Sequence, residues 1–175
     1  MLNMKKINYD FWKNKKVLIT GHTGFKGGWA SLVLTYLGSK VVGYSLKPNR
    51  NSLYTKLKLK NKIYKSFYFD INDKKNLKKI LLNEKPDLIL HFAAQSLVLE
   101  SYKDPIKTIK SNIFGTFNIL QTITELKKKP RSVIIVTSDK CYENKNLNRK
   151  FNENDKLGGN DLYSASKACC EILSS

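Results

Sequence analysis

Two side chains of this sequence, Tyr163 and Lys167, have the types and the spacing needed for proton transfer. Residues four apart share one face of a helix. A lysine ammonium about 4 Å from a phenol stabilises the phenolate by about 4 kcal/mol at an effective dielectric of 20. A tyrosine in that position can serve as a base near neutral pH, and the lysine can also hold a ribose. Because Tyr-x-x-x-Lys occurs by chance on many helices, its meaning depends on the rest of the chain.

A second polar group, Ser138-Asp139-Lys140, directly follows an apolar run at 132–137 that we interpret as a fifth strand. Ligands of doubly wound sheets bind at the carboxyl ends of the strands. We therefore expect Ser138, Asp139 and Lys140 to lie with Tyr163 and Lys167 at one catalytic site.

A glycine-rich turn lies near the start of the sequence, between the apolar strand 17–20 and a helical run that stops at Gly38. Its glycines are spaced G-x-x-G-x-x-G, which allows a sharp turn and close approach of a ligand. A helix start also attracts phosphate. We expect cofactor contacts from Gly21, Thr23, Gly24, Phe25, Lys26 and Gly27. An ordinary tight turn is the alternative.

Further cofactor contacts are expected where later strands end. Asp70 and Ile71 follow a predicted third strand at 63–69, where a carboxylate can accept from the adenine amino group. Small residues after a buried fourth strand at 87–92 let a cofactor pass close by. These residues are Ala93 and Ala94, followed by Gln95.

A long helix is predicted from Pro105 to Leu126, since proline is well tolerated in a first helical turn. Asn112 lies within it and is a further expected cofactor contact. Gly115 costs about 1 kcal/mol relative to alanine in a helix, so we expect a close neighbour there. A shorter helix is predicted at 73–83.

Strands and helices alternate along the chain. This order predicts an α/β fold, a doubly wound parallel sheet of the Rossmann type, with residues 1–175 forming one NAD(P)-binding domain. The second strand, at 40–46, is followed by Lys47 and Arg50 where an acidic residue would favour NAD. These cations favour the extra phosphate of NADP, or they belong to a solvated loop. His22 is expected to line the cofactor, and His91 to be a hydrogen-bonded core residue.

Composition excludes several protein classes. Hydrophobic residues are 41% of the 175, as in a globular protein, and no apolar run approaches the ~18 residues of a membrane span. No signal peptide is apparent. The three cysteines have neither zinc-site nor disulfide spacing, so we expect no metal and a cytoplasmic location. The net charge of +18 comes from dispersed lysines, which indicates an AT-rich coding bias rather than a specific nucleic-acid surface. Salt-sensitive binding to polyanions is still expected.

Several of these segments together resemble a known family. The segments TGHTGFKGGW, HFAAQSLV, TSDKCYEN and ENDKLGGNDLYSASK look like those of CDP-glucose 4,6-dehydratases, in the extended short-chain dehydrogenase/reductase superfamily. The resemblance implies a cytoplasmic, NAD-dependent lyase of deoxysugar and O-antigen biosynthesis, homodimeric when full length. Its substrate would be CDP-glucose, without membrane or specific nucleic-acid partners. The reaction would oxidise C4, eliminate water across C5 and C6, and return hydride to C6.

The resemblance also implies roles for the predicted catalytic residues. Tyr163, aided by Ser138 and Lys167, would take the proton of the C4 hydroxyl. Asp139 would be the acid for the leaving C6 hydroxyl. Lys140 stands where sister enzymes carry a glutamate base. It would act as a base with a depressed pKa, or it would position the substrate or stabilise the enolate.

The sequence departs from this pattern at Lys47, at the Leu99-Glu100 pair and at Leu162. It also stops within the helix that carries Tyr163, so we expect a truncated reading frame with no turnover of its own. Alternatives are another nucleotide-sugar epimerase or dehydratase, a non-catalytic NAD-binding fragment, or a nucleic-acid binder.

Overall fold

The computed structural model describes residues 9–143 and 149–175 and has a five-stranded, fully parallel sheet at its centre. The strand order is β3-β2-β1-β4-β5. The strands are β1 (Lys16–Thr20), β2 (Lys40–Ser45), β3 (Lys65–Tyr68), β4 (Leu88–His91) and β5 (Ser132–Ile135). The prediction of a doubly wound parallel sheet is confirmed.

Eight α-helices connect and flank the strands of the described part of the chain. They are α1 (Tyr9–Trp12), α2 (Phe25–Tyr36), α3 (Leu53–Lys56), α4 (Lys74–Glu84), α5 (Val98–Lys103), α6 (Pro105–Thr108), α7 (Gly115–Thr124) and α8 (Leu162–Ser174). Short 3₁₀ turns lie at Leu59–Asn61 and Asp139–Cys141. Each described helix is too short or too polar to traverse a bilayer.

Four of the five strands end one or two residues earlier than the apolar runs predict, and β1 ends at Thr20 as predicted. The hydrogen-bond ladder nevertheless continues past three of them, from Phe69 N to Ser45 O, from Phe92 N to Thr20 O and from Val136 N to His91 O. The apolar runs of β3, β4 and β5 include these additional hydrogen-bonded residues, which explains why their predicted ends lie later.

The sheet separates two apolar clusters. On one face, Leu18, Val42 and Ile89 pack against α4 and α7. On the other face, Val17, Ile19 and neighbouring side chains pack against α2 and α3. Since β1 alternates between these faces and is almost completely buried, it forms the centre of the molecule.

Helix α2 is rotated differently from what its apolar residues alone indicate. Its buried positions are Gly27, Gly28, Ser31 and Leu34. Trp29, Val33 and Tyr36, which carry much of the helical periodicity, are 46%, 47% and 79% exposed. The small residues face inward because the first turn approaches the glycine loop and α3 too closely for larger side chains.

The long helix predicted from Pro105 to Leu126 is interrupted by a π-helical segment at Ile109–Phe114, between α6 and α7. Such widened turns commonly occur near functional sites. Gly115 follows this segment, and a side chain there would come within 2.8 Å of Ile71 Cγ2. Ile71 is therefore the close neighbour that the helical glycine predicts.

Candidate cofactor and catalytic site

A cavity of about 580 Å³ opens at the carboxyl ends of the parallel strands. The loops after β1, β2, β3, β4 and β5 and the start of α8 all contribute to its wall. The residues of its wall that sequence analysis names are Gly21, Thr23, Gly24, Phe25, Lys26, Gly27, Asp70, Ile71, Ala93, Ala94, Tyr163 and Lys167. The fold thus brings together residues as far apart in sequence as Gly21 and Lys167.

The glycine loop requires glycine for packing reasons at two positions. Gly21 has φ of +72°, and a side chain there would come within 2.8 Å of Ala93 N. A Cβ at Gly27 would overlap the carbonyl oxygen of Gly21. Gly24 precedes the first residue of α2, so the start of that helix faces the cavity. Its unpaired N–H groups and dipole make this a favourable place for phosphate.

One wall of the cavity is formed where the glycine loop contacts the end of β2. Thr23 Oγ1 lies 2.8 Å from Ser45 Oγ and donates to the carbonyl of Leu46 at 3.1 Å. Lys47 and Arg50, considered above for a cofactor phosphate, are exposed and lie outside the wall.

Asp70 lies at the end of the cavity next to β3. Its carboxylate accepts from the backbone N–H of Asn72 at 2.8 Å and from the Asn72 side chain at 3.0 Å. Its carbonyl accepts from the Tyr44 hydroxyl at 2.9 Å. Burial, and then the charges of Asp73 and Asp70, raise the pKa of Tyr44, so this hydroxyl stays protonated and acts as a donor.

Tyr163 and Lys167 project from the first turns of α8 into the opposite end of the cavity, and both are more than nine-tenths buried. Helix α8 is capped by Asp161, which accepts from Ser164 N at 2.9 Å. Lys167 Nζ donates to the carbonyl of Val136 at 3.2 Å. Burial lowers the pKa of Lys167 most, Cys170 opposes this shift, and the positive charge of Lys26 lowers the pKa further against a smaller raising effect of Glu171. Two cations therefore face one cavity, which suits an anionic ligand.

The Ser138-Asp139-Lys140 group lies outside the wall of this cavity. It forms a 3₁₀ turn after β5 in which Ser138 Oγ accepts from Lys140 N at 3.3 Å and donates to Asp139 Oδ1 at 3.0 Å. Asp139 and Lys140 are exposed, and Ser138 is half-buried. The structure places the group beside α8 but does not bring it into the cavity with Tyr163.

Two of the expected cofactor contacts, Gln95 and Asn112, lie behind the cavity wall. Gln95 N donates to Asn112 Oδ1 at 2.8 Å, and Asn112 Nδ2 donates to the carbonyl of Gln95 at 3.0 Å and to Ser166 Oγ at 2.8 Å. Both side chains are buried. This geometry joins the loop after β4 to the π-helical segment and to α8.

The expectation that His22 lines the cofactor is wrong. Its side chain is fully buried and points beneath the loop, where Nε2 lies 3.2 Å from Ser66 Oγ. Its ring meets Tyr54 edge-on, with 5.1 Å between ring centroids. Burial lowers the pKa of His22 to about 4, against a weaker raising effect of the Tyr44 backbone.

Several residues of the cavity wall are not among those expected from the sequence. These are Tyr44, Ser45, Leu46, Phe69, Phe92, Ser96, Ser111, Val136 and Thr137. Most of them end a strand or begin the following loop, so the rule that ligands bind at carboxyl strand ends would have identified them. Ser111 carries no such signal because the π-helical segment brings it to the wall.

Comparisons with known proteins agree with this geometry. The family model of GDP-mannose 4,6-dehydratase matches residues 18–175. The CDP-glucose 4,6-dehydratase of Salmonella typhimurium is 42% identical over 170 residues, which are 97% of this chain and 47% of that protein. The dTDP-D-glucose 4,6-dehydratase of Dictyostelium discoideum is 35% identical over 91% of this chain and 39% of its own length. The chain therefore spans about half the length of these relatives or less.

Solved structures share the fold at lower sequence identity. The UDP-Glc/GlcNAc 4-epimerase of Campylobacter jejuni matches with a TM-score of 0.80 and 23% identity over 91% of this chain and 48% of its own. The UDP-glucose 4-epimerase of Brucella ovis, solved in complex with NAD, matches with a TM-score of 0.78 and 23% identity over 91% and 46%.

Proposed function

The chain belongs to the GDP-mannose 4,6-dehydratase family, and on that premise we propose that it forms the cofactor-binding and catalytic half of a nucleotide-sugar 4,6-dehydratase that acts on CDP-glucose. The observation that carries the proposal is the single cavity shared by the glycine loop, Tyr163 and Lys167. The 42% identity to a CDP-glucose 4,6-dehydratase supports the choice of substrate.

The residues of the cavity fit a dinucleotide. A side chain at Gly21 would meet the backbone of Ala93, and one at Gly27 would meet the carbonyl of Gly21. The absence of side chains there lets the turn bring the start of α2 to the cavity, where a helix N-terminus can hold a phosphate. Asp70 would face the adenine, and Lys167 the ribose at the other end. Lys26 would add a positive charge near the phosphates. NAD is supported by the Brucella ovis structure, while exposed Lys47 and Arg50 leave NADP as the alternative to test.

The chain's own groups then have definite tasks. Tyr163 would take the proton of the C4 hydroxyl, and the positive charge of Lys167 would stabilise the phenolate. Bound NAD would supply the redox chemistry by accepting a hydride from C4 and returning it to C6. Asp139 would give a proton to the C6 hydroxyl as it leaves, and Lys140 would take the C5 proton or hold the substrate. These last two roles require the exposed 3₁₀ turn to meet the sugar from outside the cavity.

Cofactor binding is the first test. We expect the full 175-residue chain to enhance and blue-shift NADH fluorescence, with weaker binding of NADPH. Lys167→Met should raise the Kd for NADH about tenfold, as expected for a lost charged hydrogen bond. Lys128→Met, on an exposed turn, makes the same charge change outside the cavity and should leave the Kd within about twofold. No NADH binding by the unmodified chain would contradict the proposal.

The reaction is tested by mass spectrometry of CDP-glucose incubated with the protein and NAD. A dehydratase yields a product lighter by one water, whereas an epimerase yields one of unchanged mass. Tyr163→Phe should retain NADH binding and abolish the product. Addition of a polypeptide corresponding to the second half of the Salmonella relative tests whether turnover needs that half. The family resemblance also supports homodimerisation, a cytoplasmic location and a role in O-antigen sugar synthesis, which remain proposals.

A further inference from the structure

Behind the cavity wall, a network of buried polar groups runs from the end of β1 to α8. It consists of Thr20, His91, Thr116, Cys170 and the backbone carbonyl of Asn112. Each of these residues is at most 2% exposed, and none lines the cavity. Buried polar groups cost stability unless they are paired. The hydrogen bonds of this network therefore constrain the position of every element that they join.

The contacts are continuous. Thr20 Oγ1 lies 2.7 Å from His91 Nδ1, and His91 Nε2 lies 3.3 Å from Thr116 Oγ1. Thr116 Oγ1 lies 3.3 Å from Cys170 Sγ, which donates to the Asn112 carbonyl at 3.3 Å. The groups belong in turn to β1, β4, α7 and α8, and they return to the π-helical segment.

The available hydrogens determine which group is the donor and which the acceptor at each contact of this network. Thr20 Oγ1 accepts from Ala93 N at 3.1 Å, so its own hydrogen is directed to His91 Nδ1. His91 Nδ1 is then the acceptor, and Nε2 carries the hydrogen that is donated to Thr116. The Thr116 hydroxyl in turn donates to Cys170 Sγ. If His91 Nδ1 carried the hydrogen instead, Nδ1 and the Thr20 hydroxyl would both be donors. The Thr20 hydrogen would then have no acceptor at this buried contact.

The same site keeps His91 neutral. Burial lowers the pKa of His91 to about 3, and the positive charge of Lys167 contributes to the shift. Cys170 follows Lys167 by three residues on α8, so the two side chains lie next to each other on the same side of the helix. Lys167 is itself held by the Val136 carbonyl. Helix α8 is therefore fixed at two points next to the residues that face the cavity.

We propose that His91, as the neutral Nε2–H tautomer, is a positioning residue that fixes α8 and thereby sets Tyr163 and Lys167 against the cavity. Its effect on cofactor binding rests on the proposed function. The tautomer and the fixing of α8 do not, and they are tested separately.

The tautomer is tested by ¹⁵N NMR of the imidazoles in the uniformly labelled chain at pH 7. The sequence has two histidines, so a His22→Gln variant identifies the His91 signals. We expect a protonated Nε2 and an unprotonated Nδ1. A protonated Nδ1, or an imidazolium, would overturn the assignment.

The fixing of α8 is tested with Thr116→Val, which removes the hydroxyl and keeps the shape. Thr122→Val is the matched control, since Thr122 is also buried on α7 but its hydroxyl donates only to the Asn118 carbonyl, at 2.6 Å. Alkylation of Cys170, followed by peptide mass spectrometry, should become about 3- to 10-fold faster in Thr116→Val than in Thr122→Val. Equal rates would overturn the proposal.

The consequence for the cavity is tested by NADH binding. Thr116→Val should raise the Kd about 3- to 10-fold, while Thr116→Ser and Thr122→Val should stay within about twofold of the parent chain. An equal loss in Thr116→Val and Thr122→Val would show general destabilisation and would overturn the positioning role. If the parent chain binds no NADH, the proposed function fails, and the tautomer and the Cys170 rates still decide whether His91 fixes α8.

Discussion

The imidazole of His22 occupies the space that a side chain at Gly43 would need. Gly43 lies in the middle of β2, and a Cβ built on it would overlap the ring. The ring in turn lies 6.0 Å from Tyr68, measured between ring centroids, and is fully buried. The His22 side chain thus packs the glycine loop against β2, and it points away from the cavity.

This relationship predicts a large effect of Gly43→Ala. Overpacking of a filled core costs about 1–3 kcal/mol, so the free energy of unfolding in urea should fall by that amount. Gly158→Ala is a suitable control, since its Cβ would meet Glu143 Cβ at an ordinary 3.5 Å. Replacing His22 by serine in the Gly43→Ala background should recover part of the loss. Equal stability of Gly43→Ala and Gly158→Ala would contradict this account.

The glycines of the loop should differ in what they disturb. A Cβ at Gly27 overlaps the Gly21 carbonyl, whereas one at Gly24 lies 3.3 Å from it and needs only a small shift. We expect Gly27→Ala to lower the thermal midpoint strongly, because the backbone must move. Gly24→Ala should keep most of the stability but weaken NADH binding, since its methyl group would stand at the phosphate position. Thermal melts and fluorescence titrations of both variants separate the two effects.

Stability should fall on mild acidification because of the buried histidines. Unfolded histidine takes up a proton near pH 6.5, but burial lowers the pKa of His22 to about 4. The unfolded state therefore binds more protons than the folded state between these pH values, so the free energy of unfolding decreases as the pH falls. His22 therefore accounts for a loss of about 3 kcal/mol in the free energy of unfolding between pH 6.5 and 4. Burial lowers the pKa of His91 as well, which adds to the slope.

Urea unfolding of the parent chain and of His22→Gln at pH 7, 6 and 5 measures this loss. The variant should show a clearly shallower dependence on pH, while the contribution of His91 remains. Identical slopes for the two proteins would mean that His22 is not neutral and buried in the folded state.

Leu162, which departs from the family pattern, should tolerate proline. It is the first residue of α8, where proline costs no helical hydrogen bond, and Asp161 before it has the extended φ and ψ of −134° and 163° that proline requires. We expect Leu162→Pro to stay within about 1 kcal/mol of the parent. Ala165→Pro is the contrast: it removes the bond from Ala165 N to the Asp161 carbonyl and should cost about 3 kcal/mol. Chemical denaturation of both variants tests the difference.

Much of the cofactor site could be predicted from local sequence. The glycine loop, the apolar strands and the cap of α8 depend on short-range rules, and the parallel sheet brings every strand end to one edge. Those rules predict that Gly24, Asp70 and Ala93 lie at one edge of the sheet, and all three line the cavity. They also identified His91 as a hydrogen-bonded core residue, which its contacts with Thr20 and Thr116 bear out.

The sequence by itself thus determined the order of elements and the edge of the sheet where a ligand would bind, because periodicity and turn chemistry are local properties. Only the tertiary structure decided which side chains face the cavity. The rotation of α2, the burial of His22 under its loop and the placement of Asn112 behind the wall each depend on contacts with distant segments. Such contacts fix the rotation of a helix to within a fraction of a turn, and no spacing along the chain records it.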